Sequence, residues 1–153
     1  MQPRLVAFRI ERRIISAAVF AGHHLEHADT RHLASRYPKA LDSATGYVNW
    51  IKTMFLIETA IVEKQTTSAP TRRGKLTGEV VTQLRGAGVP VFEIEPSDLL
   101  PAFGNPPCRS RAEVRGSVGL IWPSLVTDKQ HPSSLDAAAL GLYFQIQKLL
   151  SPN

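Results

Sequence analysis

The first thirty residues alternate between apolar runs and short polar breaks. Leu5 to Ile10 is rich in β-forming residues and predicts a strand. Arg12-Arg13 marks a turn, and Ile14 to Phe20 predicts a second strand paired to the first. Ala21-Gly22-His23 makes another turn, and His24 to Leu33 predicts a third strand, so the three form a meander. The period then changes. Leu41, Ala44, Val48 and Ile51 lie on one helical face, and Pro38 suits the first turn of that helix. The apolar run Met54 to Ile61 has strand length and no alternation, as expected of a strand covered on both faces.

Residues 65–74 are polar and predict a mobile loop. Leu76, Val80 and Leu84 mark a helix that stops at Gly86-Ala87-Gly88. Val89 to Ile94 predicts a fifth strand. Pro90 belongs at its first residue or on an edge, because proline donates no ladder hydrogen bond. A second loop covers Pro101 to Pro107, a helix covers Ser110 to Trp122, and a last helix runs from Ser134 to Leu150. The order β-β-β-α-β-α-β-α-α predicts an α/β fold. Its five-stranded mixed sheet has an antiparallel meander followed by parallel strands with helical crossovers. There is no internal repeat, and residues 1–153 are expected to form one domain.

Composition narrows the chemistry. The single cysteine, Cys108, excludes an internal disulfide and a cysteine metal cluster. Eighteen lysines and arginines against thirteen acids leave a formal charge of +5, compatible with a polyanionic partner. The longest near-apolar run, Ile14 to Gly22, is far short of the ~20 residues a membrane helix needs, so no membrane association is expected. Arg4, Arg9, Arg12 and Arg13 before that run imitate a secretory leader. Glu11 is misplaced for one, and cleavage at Gly22 would remove two strands, so a cytoplasmic location is the expectation.

Four segments carry a likeness to a known family: Phe8 to Phe20, Phe55 to Glu58, Pro90 to Glu93, and Pro132 to Leu140. In order and spacing they resemble the first hairpin, the fourth strand, the fifth strand and the start of the last helix of RuvC-type Holliday-junction resolvases, within the ribonuclease H-like superfamily. The resemblance runs over nearly the whole chain. It implies a ribonuclease H-like fold and phosphodiester cleavage by two divalent cations, Mg²⁺ or Mn²⁺. Such cations lie ~3.5–4 Å apart and stabilise both the attacking and the leaving oxygen. It implies Glu58 as the fourth-strand ligand and Asp136 as the last-helix ligand. It also implies a dimer.

Two of the four expected carboxylates are missing. The family's first-strand aspartate is matched by Arg9, and the acid three residues before the last aspartate is matched by Ser133. A guanidinium at Arg9 would repel cations and could pair with Glu58 and Asp136. Glu11 shares a strand face with Arg9 and is a candidate substitute, though ~6–7 Å along the strand from the required position.

Each candidate has a simpler reading. Glu58 can be the ion-pair partner of Arg9. Ser133 and Asp136 match a capping box, with Ser133 as N-cap and Asp136 at N3. His23, His24, His27 and His32 lack zinc-site spacing. Cys108 has no identifiable histidine partner, and Trp50 and Trp122 fall within helical patterns and read as core. The clusters Arg12/Arg13, Arg72/Arg73/Lys75 and Arg109/Arg111/Arg115 can be solvated surface or phosphate contacts, and their arginine bias favours phosphate. The leading expectation is a degenerate domain that binds DNA or RNA, needs no cofactor and does not cleave. The alternatives are an Mg²⁺- or Mn²⁺-dependent nuclease using Glu11, Glu58 and Asp136, and a non-catalytic assembly scaffold.

Overall fold

A computed structural model describes residues 3–65 and 71–150. The meander forms as expected: β1 (Arg4–Ile10), β2 (Ile14–Ala21) and β3 (His24–His32). Helix α1 (Tyr37–Phe55) leads to β4 (Thr59–Glu63), and α2 (Arg72–Gly86) leads to β5 (Val91–Ile94). The short turn α3 (Pro96–Leu99) and a 3-10 turn precede α4 (Arg111–Ile121), and α5 (Ser133–Leu150) ends the described chain. The sheet order is β3-β2-β1-β4-β5. β1 is antiparallel to β2 and parallel to β4, and β4 is parallel to β5.

Alternation along the central strands divides the core into two layers. Val6, Phe8 and Ile10 of β1, with Ala60 and Val62 of β4, face α1 and α2. Leu5 and Ala7 of β1, with Ile61 of β4, face α4 and α5. Arg9 continues the second row. Helix α5 lies directly on the sheet, and every residue from Ser133 to Gly141 is buried. Gly141 permits this approach, because a Cβ there would lie 2.3 Å from the Phe20 ring.

Three boundaries differ from the sequence reading. The apolar run Met54 to Ile61 is not one strand. Its first residues finish α1, and Leu56, with φ of 54°, caps that helix in the left-handed region. Met54 and Leu56 are exposed, and β4 begins only at Thr59. Within the expected 65–74 loop, Arg72 to Gly74 open α2, with the Thr71 hydroxyl accepting from the Gly74 amide at 3.0 Å, while 66–70 lie outside the described residues. Strand β5 starts after Pro90, whose carbonyl still accepts from Ala60 at the sheet edge.

Candidate functional site

The shift of β4 changes which glutamate meets Arg9. In the parallel register Phe8 lies opposite Val62, so the next rung brings Arg9 beside Glu63. Both point toward α4 and α5, and their side chains are 5% and 1% exposed. Glu63 receives three guanidinium groups. Arg9 Nε lies at 3.3 Å and Arg73 Nη2 at 3.0 Å from Oε2, and Arg111 Nη2 lies at 2.8 Å from Oε1.

Asp136, in the first turn of α5, forms the other half. Arg115 grips it with a fork, Nε to Oδ1 at 3.0 Å and Nη2 to Oδ2 at 2.7 Å. Arg111 Nη1 lies 3.6 Å from Oδ1 and Arg9 Nη1 lies 3.4 Å from Oδ2, so both arginines bridge the two buried acids. Hydrogen bonding to Asp136 raises the Arg115 guanidinium above its usual value, against the lowering effect of burial.

Glu11 closes the outer side. Its Oε1 lies 2.7 Å from Arg9 Nη1, and its Oε2 accepts from Ser133 Oγ at 3.4 Å. That contact is an ion pair, and beyond it Nη1 has no hydrogen-bond partner among the described residues. Burial pushes the Glu11 carboxyl up, but the charge and close contact of Arg9, the charge of Arg73 and the Ser133 hydroxyl hold it below its usual value. A row of hydroxyls runs beside Arg9 across the sheet. Ser16 on β2 contacts Thr30 on β3 at 2.7 Å, and Thr30 contacts Ser134 of α5 at 2.9 Å. Ser16 sits directly across from Arg9, so the polar row is set by strand register.

The cluster lies where β1 and β4 end and where α2, α4 and α5 begin. Helix N-termini carry partial positive charge, and four arginines face three carboxylates. The field is therefore positive. The residues present do not fit the pair of divalent cations that the resemblance implies. All four oxygens of Glu63 and Asp136 have a guanidinium nitrogen within 3.0 Å, and Arg9 holds the space between them. Hard cations need such oxygens unshared.

Asp136 and Arg9 come together as the sequence suggested, and Glu11 joins them. Glu58 does not. It is exposed before the start of β4, its amide bonded to the Arg4 carbonyl. Five strand residues, ~16 Å, separate it from Glu63. Neither the Arg9–Glu58 pair nor a Glu58–Asp136 metal site exists in this geometry. The capping box is absent too, since the Ser133 hydroxyl donates to Glu11 and Asp136 faces arginines.

The basic clusters divide into two groups. Arg73, Arg111 and Arg115 are committed to the buried acids. Arg72 donates to the carbonyls of Ala34 and Ser35. Arg12, Arg13, Lys75 and Arg109 are exposed around the same end of the sheet and form no ion pair among the described residues. His23 contacts Gln145, His27 contacts Asp29, and His32 packs edge-on to His131. Cys108 is buried, with Sγ 3.8 Å from Ser117 Oγ. Trp122 packs against Phe20, but Trp50 is 38% exposed beneath Arg31 rather than in the core.

Sequence reasoning missed Glu63, although the pattern contained a signal. Ala60-Ile61-Val62 is an uninterrupted apolar stretch, and Glu63 ends it as a charged residue at the carboxyl end of a parallel strand.

No protein-family model matches the sequence, and no curated protein matches it. Solved structures do. The chain superposes on T. thermophilus RuvC in complex with a Holliday junction substrate with a TM-score of 0.72, at 20% identity, covering 91% of this chain and 90% of that one. A yeast mitochondrial Holliday junction resolvase gives 0.66 at 10% identity, covering 92% and 77%. The fowlpox virus Holliday junction resolvase gives 0.62 at 14% identity, covering 94% and 99%. The chain therefore has the ribonuclease H-like α/β fold of RuvC-type resolvases.

Proposed function

We propose that this chain is a nucleic-acid-binding domain of RuvC-type fold that does not cleave by the two-metal route. One observation supports the reading: Arg9, buried at the middle of the carboxylate cluster, pairs with Glu63 and Asp136. The acids then act as counterions for arginines instead of as metal ligands. The T. thermophilus relative is described with a Holliday junction, which makes branched DNA the first probe for this chain.

Arg12 and Arg13 on the β1–β2 turn, Lys75 at the start of α2, and Arg109 before α4 supply the exposed cations. If each neutralises one phosphate, log K falls with log salt at a slope of about −3.6 on duplex DNA, roughly a hundredfold between 50 and 200 mM. Fluorescence anisotropy with branched DNA, single-stranded DNA and RNA at both salt concentrations tests this. The double substitution Arg12→Ser with Arg13→Ser should reduce the slope by about 2. Absence of binding at ~50 mM salt, where phosphate contacts are strongest, overturns the binding role. Strand cleavage by the unaltered chain in millimolar Mg²⁺ or Mn²⁺, lost on Asp136→Asn, overturns the non-cleaving role and returns the chain to the nucleases. A defined oligomer that buries Arg12, Arg13, Lys75 and Arg109 and binds no nucleic acid points to an assembly scaffold instead.

A further inference from the structure

We propose that Glu11 is a tethered occupant of a phosphate seat built by Arg9, Arg73 and Ser133, and that a phosphate group displaces it. The inference rests on the nucleic-acid-binding reading for its preferred ligand, but the seat itself is defined by these residues alone.

Glu11 differs from the other two acids of the cluster. Glu63 and Asp136 are 1% and 0% exposed, each fixed on a regular element. Glu11 follows the last residue of β1, and its side chain is 34% exposed. It can leave without opening the core. Its departure would leave Arg9, Arg73, Arg111 and Arg115 facing only Glu63 and Asp136. That surplus of two positive charges matches a phosphate monoester, and a diester removes half of it.

Hydrogen-bond geometry points the same way. Arg9 Nη1 belongs to a side chain that is 5% exposed, and it has no hydrogen-bond partner among the described residues. It lies 2.7 Å from Glu11 in an ion pair that balances its charge. An unmet buried donor is costly, and a charged one more so. A planar carboxylate on a two-carbon tether meets Ser133 Oγ at 3.4 Å, which is long for a hydroxyl donor. A tetrahedral phosphate has oxygens for Arg9 and Ser133 at once, and Arg73, whose Nε and Nη2 are held by the Ile10 carbonyl and Glu63, adds its charge from alongside. Guanidinium forks match phosphate oxygens well. The Arg73 side chain is 35% exposed, so the seat opens to solvent beside Glu11.

Glu11 competes from a tether, so its effective concentration is high. Inorganic phosphate should therefore bind the unaltered chain weakly. A polynucleotide already held by Arg12 and Arg13, on the turn next to Glu11, would compete on equal terms. The shared chemistry is a phosphate group, from either a backbone diester or a terminal or free monoester.

The test uses the full chain and its Glu11→Ala variant, with arginine side chains followed by ¹⁵N NMR during inorganic phosphate titration. Circular dichroism confirms folding, and Glu11→Gln, which keeps the volume and loses the charge, carries the same expectation. Removing the competing carboxylate should tighten phosphate binding about tenfold or more, with the Arg9 resonances moving. Adding Arg73→Met should abolish that gain. A folded Glu11→Ala chain whose Arg9 resonances ignore phosphate overturns the seat. If that chain and the unaltered one still bind oligonucleotides equally, the nucleic-acid reading survives alone. If phosphate moves Arg9 but neither chain binds oligonucleotides at low salt, the seat stands for free phosphate and the nucleic-acid reading fails. Oligonucleotides with and without a 5′-phosphate separate the sources, since only a terminal seat distinguishes them.

Discussion

Replacing Glu63 by glutamine tests the centre of the cluster, and replacing Glu58 by glutamine supplies the contrast. Both sequence positions end or interrupt the same apolar stretch, but the structure gives them opposite environments. Glu63 is 1% exposed and faces nitrogens of Arg9, Arg73 and Arg111 at 3.3, 3.0 and 2.8 Å. Arg73 and Arg111 are 35% and 28% exposed and can turn their charge to water. Arg9, at 5%, cannot. The cost of Glu63→Gln therefore falls mainly on one buried guanidinium.

Removing one partner of a buried pair costs about 3–5 kcal/mol. Arg9 keeps Asp136 at 3.4 Å and Glu11 at 2.7 Å, and glutamine keeps one acceptor oxygen, which places the effect at the lower end. A loss of about 3 kcal/mol corresponds to a fall of roughly 6–12 °C in Tm for a chain of this size. Glu58 is exposed, so Glu58→Gln should change stability by no more than about 0.5 kcal/mol. Urea denaturation followed by far-UV circular dichroism reads both, provided the slope with denaturant is unchanged. Two variants of equal stability, or a larger loss at Glu58, would refute the placement of the buried acid at the carboxyl end of β4.

Gly141→Ala should destabilise by about 1–3 kcal/mol in the same assay, because the new methyl would lie 2.3 Å from a Phe20 ring that is 1% exposed and backed by Trp122. Glu11 has a folded-state pKa below its usual 4.5, so its contribution to stability is complete above that value and is lost as pH falls through the lowered one. Thermal melting from neutral to acid pH should show Glu11→Gln less stable than the parent at neutrality, with the gap closing only below pH 4.5. A gap that is constant with pH would mean that Glu11 carries no linked proton.

The meander, the helix order and the α/β class were legible because each rests on a local signal: strand-length apolar runs, a 3-4-3 spacing, and turn residues between them. The β4 register was not. Met54 to Ile61 reads as one apolar run, and nothing local says that its first half caps a helix through a left-handed Leu56 while its second half enters the sheet. Five residues of misplacement exchanged Glu63 for Glu58, which moved a predicted site residue from the carboxyl to the amino end of the strand. Arg9 was legible as an anomaly, since a charge inside a strand needs a partner. Asp136 was foreseen as one partner, but Glu63 was not, nor were Arg73, Arg111 and Arg115, which share the two buried acids with Arg9 only through tertiary packing.

Arg9 also constrains its neighbours. Two buried carboxylates beside a single guanidinium would leave one negative charge uncompensated, which is costly in a low-dielectric interior. Arg111 meets that demand by reaching both acids, at 2.8 and 3.6 Å. Arg73 and Arg115 then carry the cluster past neutrality, with Glu11 as the only partly exposed acid to offset them. The excess is positive and lies at three helix N-termini, whose own partial charge has the same sign. A site that held cations through these acids would need the arginines to withdraw together, and Arg9 has no exposed route by which to do so. The physical consequence of one arginine on β1 is thus that both buried acids at this end of the sheet are already paired with guanidinium groups.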